Sequence, residues 1–140
     1  AARPSASPIN VESSDDIASL FMEQMRDLKQ ETFRILLLNA KGDIISSESI
    51  SVGELTSTLV HPREVFRPAV KKSAAAMVLI HNHPSGDPTP SMQDIDMTLR
   101  LMECGRLMGI RILDHLVMGD GTYVSMRGMG IMDSINENEK

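Results

Sequence analysis

The chain has 140 residues, enough for one compact domain with a real core, and its formal net charge is −5 at pH 7. That acidity argues against a basic nucleic-acid-binding surface as the main feature, and with three Phe, one Tyr and no Trp the aromatic platforms that stack nucleobases are nearly missing. No apolar run is long enough to span a bilayer, no apolar stretch of signal-peptide type follows Ala1-Ala2-Arg3-Pro4, and the one cysteine, Cys104, excludes an internal disulfide and fits a reducing compartment, the cytoplasm.

In chain order, residues 1–12 carry Pro4 and Pro8 in a Ser/Ala context and read as a flexible tail. Ser13 or Ser14 can cap a first helix, helped by Asp15 and Asp16, and Ile17, Leu20, Phe21, Met25 and Leu28 recur on one apolar face. Glu31 precedes the continuous apolar run Phe33–Leu38, a buried strand. The turn Asn39–Asp43 then leads into a second strand, Ile44 to Val52, and a hairpin is expected. His61-Pro62-Arg63-Glu64 opens a short helix, with Pro62 at its first position and Val65, Phe66, Ala69 and Val70 as its buried face. His61 reads as a surface or capping residue.

Ala74–Ile80 reads as another buried strand. Behind the loop that follows it, Ser91 is an N-cap for a helix with Ile95, Thr98, Leu99 and Met102 facing the sheet, ending near Gly105 or Gly109. Cys104 in that helix reads as a small packing residue, with a redox or metal role as the alternative. Arg111–Met118 is a further strand, Gly119-Asp120-Gly121 a tight turn and Thr122–Met126 its partner, while 128–140 should fray. Eleven methionines beside few aromatics imply an aliphatic core filled partly by flexible Met.

The chemistry concentrates in His81-Asn82-His83-Pro84-Ser85-Gly86-Asp87-Pro88-Thr89-Pro90-Ser91-Met92-Gln93-Asp94. Side chains alternate along a strand, so His81 and His83 share a side if the extended form continues. Pro84, Gly86, Pro88 and Pro90 forbid helix until Ser91, and Asp94 falls in the first turn behind that cap. Two imidazoles and a carboxylate, with one position left for water, have the composition of a catalytic zinc site. Read blandly, Ser91 and Asp94 are a cap and a first-turn acid, and the histidines are polar groups at a sheet edge.

H-x-H, seven residues, then S-x-x-D resembles the JAMM metalloprotease motif, and the version H-N-H-P-S-G-D-P-T-P-S-x-x-D is similar to that of the RadC family. The resemblance extends to Pro62-Arg63-Glu64 and Leu113-Asp114-His115-Leu116. It implies a JAMM-type (cytidine-deaminase-like) α/β three-layer sandwich, with a mixed sheet flanked by helices, over residues 13–127. It also implies zinc held by His81, His83 and Asp94. Glu31 would act as general base and acid, with Glu64 as the alternative base. Ser91 would steady the oxyanion, while Asp114 and His115 read either as buried groups bonded to their neighbours or as supports behind the ligands. The implied reaction is hydrolysis of an amide or isopeptide bond in a protein or peptide. A chain that starts without methionine reads as a processed or excised piece, and the helix-hairpin-helix-like region that usually precedes this domain in the family is not in it. Deubiquitinating relatives carry Ser or Thr where Asn82 stands, so the active-site resemblance carries over better than any substrate.

Two rival functions stay open. A DNA-repair accessory or metal-dependent nuclease would need a basic surface, and Arg63, Arg67, Lys71 and Lys72 are its one candidate, more simply a solvated helix face. The tripeptide His81-Asn82-His83 is not the HNH nuclease motif, whose residues are spread over a ββα-metal fold. A zinc-bearing binding module without catalysis is the other rival. Nothing in the sequence sets the oligomeric state.

Overall fold

The computed structural model describes residues 13–52 and 60–133. The tail expected at 1–12 lies outside them. Eight elements follow in order: α1 (Ser14–Met25), β1 (Thr32–Leu38), β2 (Ile44–Val52), α2 (Pro62–Lys71), β3 (Ala76–Asn82), α3 (Met92–Met108), β4 (Arg111–Met118) and β5 (Tyr123–Ser125). The strands form one sheet in the order β2-β1-β3-β4-β5. Only β3 and β4 run parallel, joined through α3 as a crossover, and the other pairs are antiparallel. The sheet is therefore mixed and the fold is α+β.

Sheet pleating sends alternate residues to two apolar layers. Leu36, Leu38, Ala76, Val78, Ile80, Leu116 and Met118 pack under α1, against Ile17, Ala18, Phe21 and Met25. Phe33, Ile35, Leu37, Met77 and Leu79 pack on the other side, against Val65, Phe66 and Ala69 of α2 and Met97 and Leu101 of α3. One helix below and two above give the three-layer sandwich.

Local chemistry sets the element ends. Ser13 caps α1 by accepting from the Asp16 amide. Ser91 caps α3 in a full capping box with Asp94, and Gly109 ends α3 in the left-handed conformation. Gly105 has a separate reason to be glycine, since a Cβ there would lie 2.3 Å from the Ile110 carbonyl oxygen. Cys104 is partly buried against the core.

Several expectations shift. Strand β3 runs two residues further than its apolar stretch and carries His81 and Asn82. Strand β5 is shorter than expected. Leu20 and Val70 are exposed, because each lies at the margin of a helical stripe whose centre already covers the sheet. In α3 the deeply buried side chains include Met97 and Leu101, while Ile95 and Leu99 pack on a smaller cluster with Met102, Val117, Met126 and Met132. Met132 is 2% exposed and packs in the same cluster. His61 stands at the N-cap position of α2 without a side-chain capping bond.

Candidate metal centre

The ladder β1–β3 ends where Phe33 pairs with His81. Glu31 stands one residue before β1, so the same pairing sets it beside the end of β3. His83 follows β3 and is tied to β4 through its amide, which donates to the Met118 carbonyl at 2.8 Å. The first turn of α3 brings Asp94 to the same place. Four chemically active side chains thus meet at one end of the two central strands.

Ligand atoms of Glu31, His81 and His83 all lie within 4.8 Å of one another. The Glu31 Oε2 is 3.8 Å from His81 Nε2, and Asp94 Oδ1 is 3.7 Å from His81 Nδ1. Asp94 Oδ2 is 3.1 Å from His83 Nε2 and also accepts from the Ser91 amide at 2.8 Å. The Ser91 hydroxyl accepts from the Asp94 amide at 3.0 Å, which leaves its own proton to give elsewhere.

The donor set suits a cation. His83 Nδ1 lies 2.9 Å from the Asp87 carbonyl oxygen, which can only accept, so Nδ1 carries a proton. Its Nε2 then faces the Asp94 carboxylate, and only a proton or a metal ion can sit favourably between them. A carbonyl behind a ligating imidazole is the usual way to fix its tautomer. His81 is 3% exposed and its Nδ1 makes no hydrogen bond, as befits a neutral ring aimed at a Lewis acid.

The electrostatics follow the burial. Burial pushes the His81 imidazole down to about 4, so it is neutral near pH 7. The His83 imidazole is raised, first by its hydrogen bond to Asp94. Burial opposes the charge on Asp94, yet His83, His81 and Ser91 together hold its carboxyl well below the usual range. Glu31 is raised, chiefly by burial; His83 pulls the other way, and the charge of Asp94 adds a smaller push upward.

The remaining sequence candidates separate. His115 is fully buried on the same side of the sheet, with its ring centroid 5.7 Å from that of His81 and 5.8 Å from that of Phe33. Its Nδ1 is 2.6 Å from Thr98 Oγ1, whose hydroxyl donates to the Asp94 carbonyl at 2.7 Å. His115 therefore braces the helical turn that carries Asp94, and burial pushes its imidazole down to about 3.

Asp114 does not reach the cluster. It faces α1, where its Oδ2 accepts from the Ser14 and Ser125 hydroxyls at 2.6 Å each and its Oδ1 from the His115 and Arg127 amides at 2.7 and 3.0 Å. A β-bulge explains the divergence. Met77 pairs with Ile112 but Val78 with Asp114, so Leu113 is the extra residue and alternation reverses phase beyond it. Glu64 is also elsewhere, ion-paired to Arg67 at 3.6 Å and Arg63 at 3.8 Å on α2.

Two residues gain roles that sequence reasoning did not give them. Thr98 was legible only as a packing position, although it lies one helical turn from Asp94, where a Thr hydroxyl can reach back to the carbonyl. Asn82 was legible only as a departure from relatives with Ser or Thr. Its buried side chain bonds to residues on both sides of Glu31.

A family model described as the RadC-like JAB domain matches residues 11–131. The chain belongs to the RadC-like JAB domain family. It is 55% identical over 117 residues to a UPF0758 protein of Alkaliphilus oremlandii, covering 84% of this chain and 50% of that protein. A UPF0758 protein of Alkaliphilus metalliredigens is 52% identical over 122 residues, 87% of this chain and 53% of its own length. A third, from Desulforamulus reducens, is 47% identical over 132 residues, 94% of this chain and 58% of its own. The chain spans about half the length of these curated relatives, whose names state no activity. Membership in the RadC-like JAB family agrees with the mixed sheet and with a Glu/His/His cluster suited to a metal. Among the described residues of this family member no helix is long and apolar enough to cross a membrane.

Proposed function

We propose that this domain is a zinc-dependent hydrolase that cleaves an amide or isopeptide bond in a protein or peptide. The observation that carries the reading is the meeting of Glu31, His81 and His83 within 4.8 Å, with Asp94 reaching both imidazoles. His81, His83 and Asp94 would hold the ion. Zinc in such a site supplies Lewis acidity and an acidified water at neutral pH.

The chain's own groups do the rest. Glu31 is partly buried and its carboxyl is raised, so it can take a proton from the attacking water and pass it to the leaving amine. Asp87 and Ser91 hold His83 and Asp94 in place through a carbonyl and an amide. The Ser91 hydroxyl is free to donate to the oxyanion of the tetrahedral intermediate, a contribution of about 10²–10³ in rate where such donors have been removed. The acidic, aromatic-poor composition favours this reading over a nuclease.

The test joins metal content to turnover. Elemental analysis should find about one zinc per chain after reconstitution, lost in His83→Ala. Glu31→Gln should stay zinc-loaded in excess metal while hydrolysis of a reporter peptide or isopeptide falls about 10²–10⁴-fold. Wild-type protein that takes up no zinc would remove the hydrolase reading, and full activity in Glu31→Gln would remove Glu31 as the base.

A further inference from the structure

Strand β3 is paired on both sides as far as His81. On one side its backbone continues the parallel ladder to β4, with Asn82 opposite Met118. On the other side the ladder to β1 stops one pair earlier, at Phe33 and His81, because the chain leaves the sheet at His83. The start of β1 would be left with a buried amide at Thr32 and no facing peptide.

The Asn82 side chain fills that place. Its Oδ1 accepts from the Thr32 amide at 2.7 Å and from the Thr32 hydroxyl at 2.9 Å, and its Nδ2 donates to the Gln30 carbonyl at 3.0 Å. Asn82 is 2% exposed and Thr32 7%. A carboxamide has one end that accepts and one that donates, and here it mimics the missing peptide. Both ends grip the residues that flank Glu31, and neither touches Glu31 itself.

We propose that Asn82 is a positioning residue that sets the Glu31 carboxylate against the two histidines. The proposal rests on the zinc-hydrolase reading for its purpose, and on the three hydrogen bonds for its geometry. Backbone held on both sides of one residue leaves that residue's Cα–Cβ direction little freedom, so Glu31 meets His81 at 3.8 Å without a direct bond to fix it. Ser or Thr at this position is shorter by one heavy atom and has no second end. Its hydroxyl would have to serve both Thr32 and Gln30 from one oxygen set further from β1, and the relation between Glu31 and the histidines would differ.

The experiment is a double-mutant cycle of Asn82→Ala and Glu31→Gln in the full chain, read as zinc affinity by chelator competition. Partners behind a metal site typically change affinity by about 10–100-fold. Asn82→Ala should weaken zinc by about tenfold, the low end of that range, when Glu31 is present, and should add almost nothing in the Glu31→Gln background. An equal loss in both backgrounds would overturn the proposal, since Asn82 would then act on the scaffold and not through Glu31. No loss in either background would overturn it too. Asn82→Ser serves if the alanine variant does not fold.

A wild-type protein that binds no zinc would refute the hydrolase reading and leave the positioning claim to crystal structures of the metal-free variants. Displacement of the Glu31 carboxylate from His81 by more than about 1 Å, the scale on which site geometry matters, supports it. An unmoved carboxylate overturns it.

Discussion

Replacing Asp114 with Ala separates the two roles that its place in the chain allows. The carboxylate, 3% exposed, accepts from two hydroxyls and two amides and ties the first residue of α1 to β4, β5 and the turn at Arg127. Hydrogen bonds to a charged acceptor contribute about 1.5–3 kcal/mol each, and a buried donor left alone costs about 1–3 kcal/mol. The Ser14 and Ser125 hydroxyls can rotate toward other acceptors, whereas the His115 and Arg127 amides cannot. The amide of buried His115 is then stranded and that of exposed Arg127 loses its charged acceptor, and the expected loss is roughly 3–5 kcal/mol. For a domain of this size that lowers Tm by about 10–20 °C. Urea unfolding followed by circular dichroism, with zinc content measured on the folded fraction, reads both quantities. Asp114→Ala should lose stability and keep its metal. Lost zinc with an unchanged unfolding midpoint would refute the reasoning and return Asp114 to the neighbourhood of the histidines.

Thr98→Val should cost about 1–3 kcal/mol in chemical denaturation, because it removes the hydroxyl that joins the Asp94 carbonyl to a buried His115. Tyr123 is the only tyrosine in a chain without tryptophan, so its ionisation can be followed cleanly near 295 nm. Its hydroxyl donates to Asp15, and that hydrogen bond, then burial, raise the phenol to about 12. A folded-state value above the unfolded one means the contribution is complete below about pH 10 and fades as pH climbs toward about 12. Asp15→Asn should move the midpoint back toward the ordinary range, and a native midpoint near 10 would show that the contact does not form in solution.

Most of the architecture was legible because pattern and punctuation agree. The apolar run at Phe33–Leu38 is β1 apart from its first residue, and Pro62, Ser91 and Gly109 mark helix ends as their chemistry dictates. Glu31, His81, His83 and Asp94 could be named because their residue types and spacings are dense with chemistry, and the structure brings all four to one place. What stayed hidden depends on three-dimensional phase. Asp114 and His115 are neighbours, and simple alternation from Ile112 would send each to the side opposite the one it takes. The extra residue at Leu113 inverts them, and nothing in the string Arg111-Ile112-Leu113-Asp114 announces a bulge. The exposure of Val70 has a similar origin, since a helical stripe read from sequence has no edge until a sheet is placed under it. Asn82 escaped for another reason. Its partners lie in a strand start far away in sequence, and an amide that replaces a peptide leaves no periodic trace.

The end of the β1–β3 ladder, where Phe33 meets His81, also has a thermodynamic meaning. No single hairpin or helix of this chain holds the whole cluster: Glu31 comes from before β1, the imidazoles from the end of β3, and Asp94 from α3. Whatever binds there can recognise only a chain whose central strands are already paired and whose crossover helix is docked. Occupancy therefore stabilises the native state as a whole by RT ln(1 + [L]/Kd), about 4 kcal/mol at a thousandfold excess over Kd. The cluster is in this sense a gauge of foldedness. A chelator should lower the unfolding midpoint of β2 and α1, which supply none of the ligands, as much as that of the loop beside them.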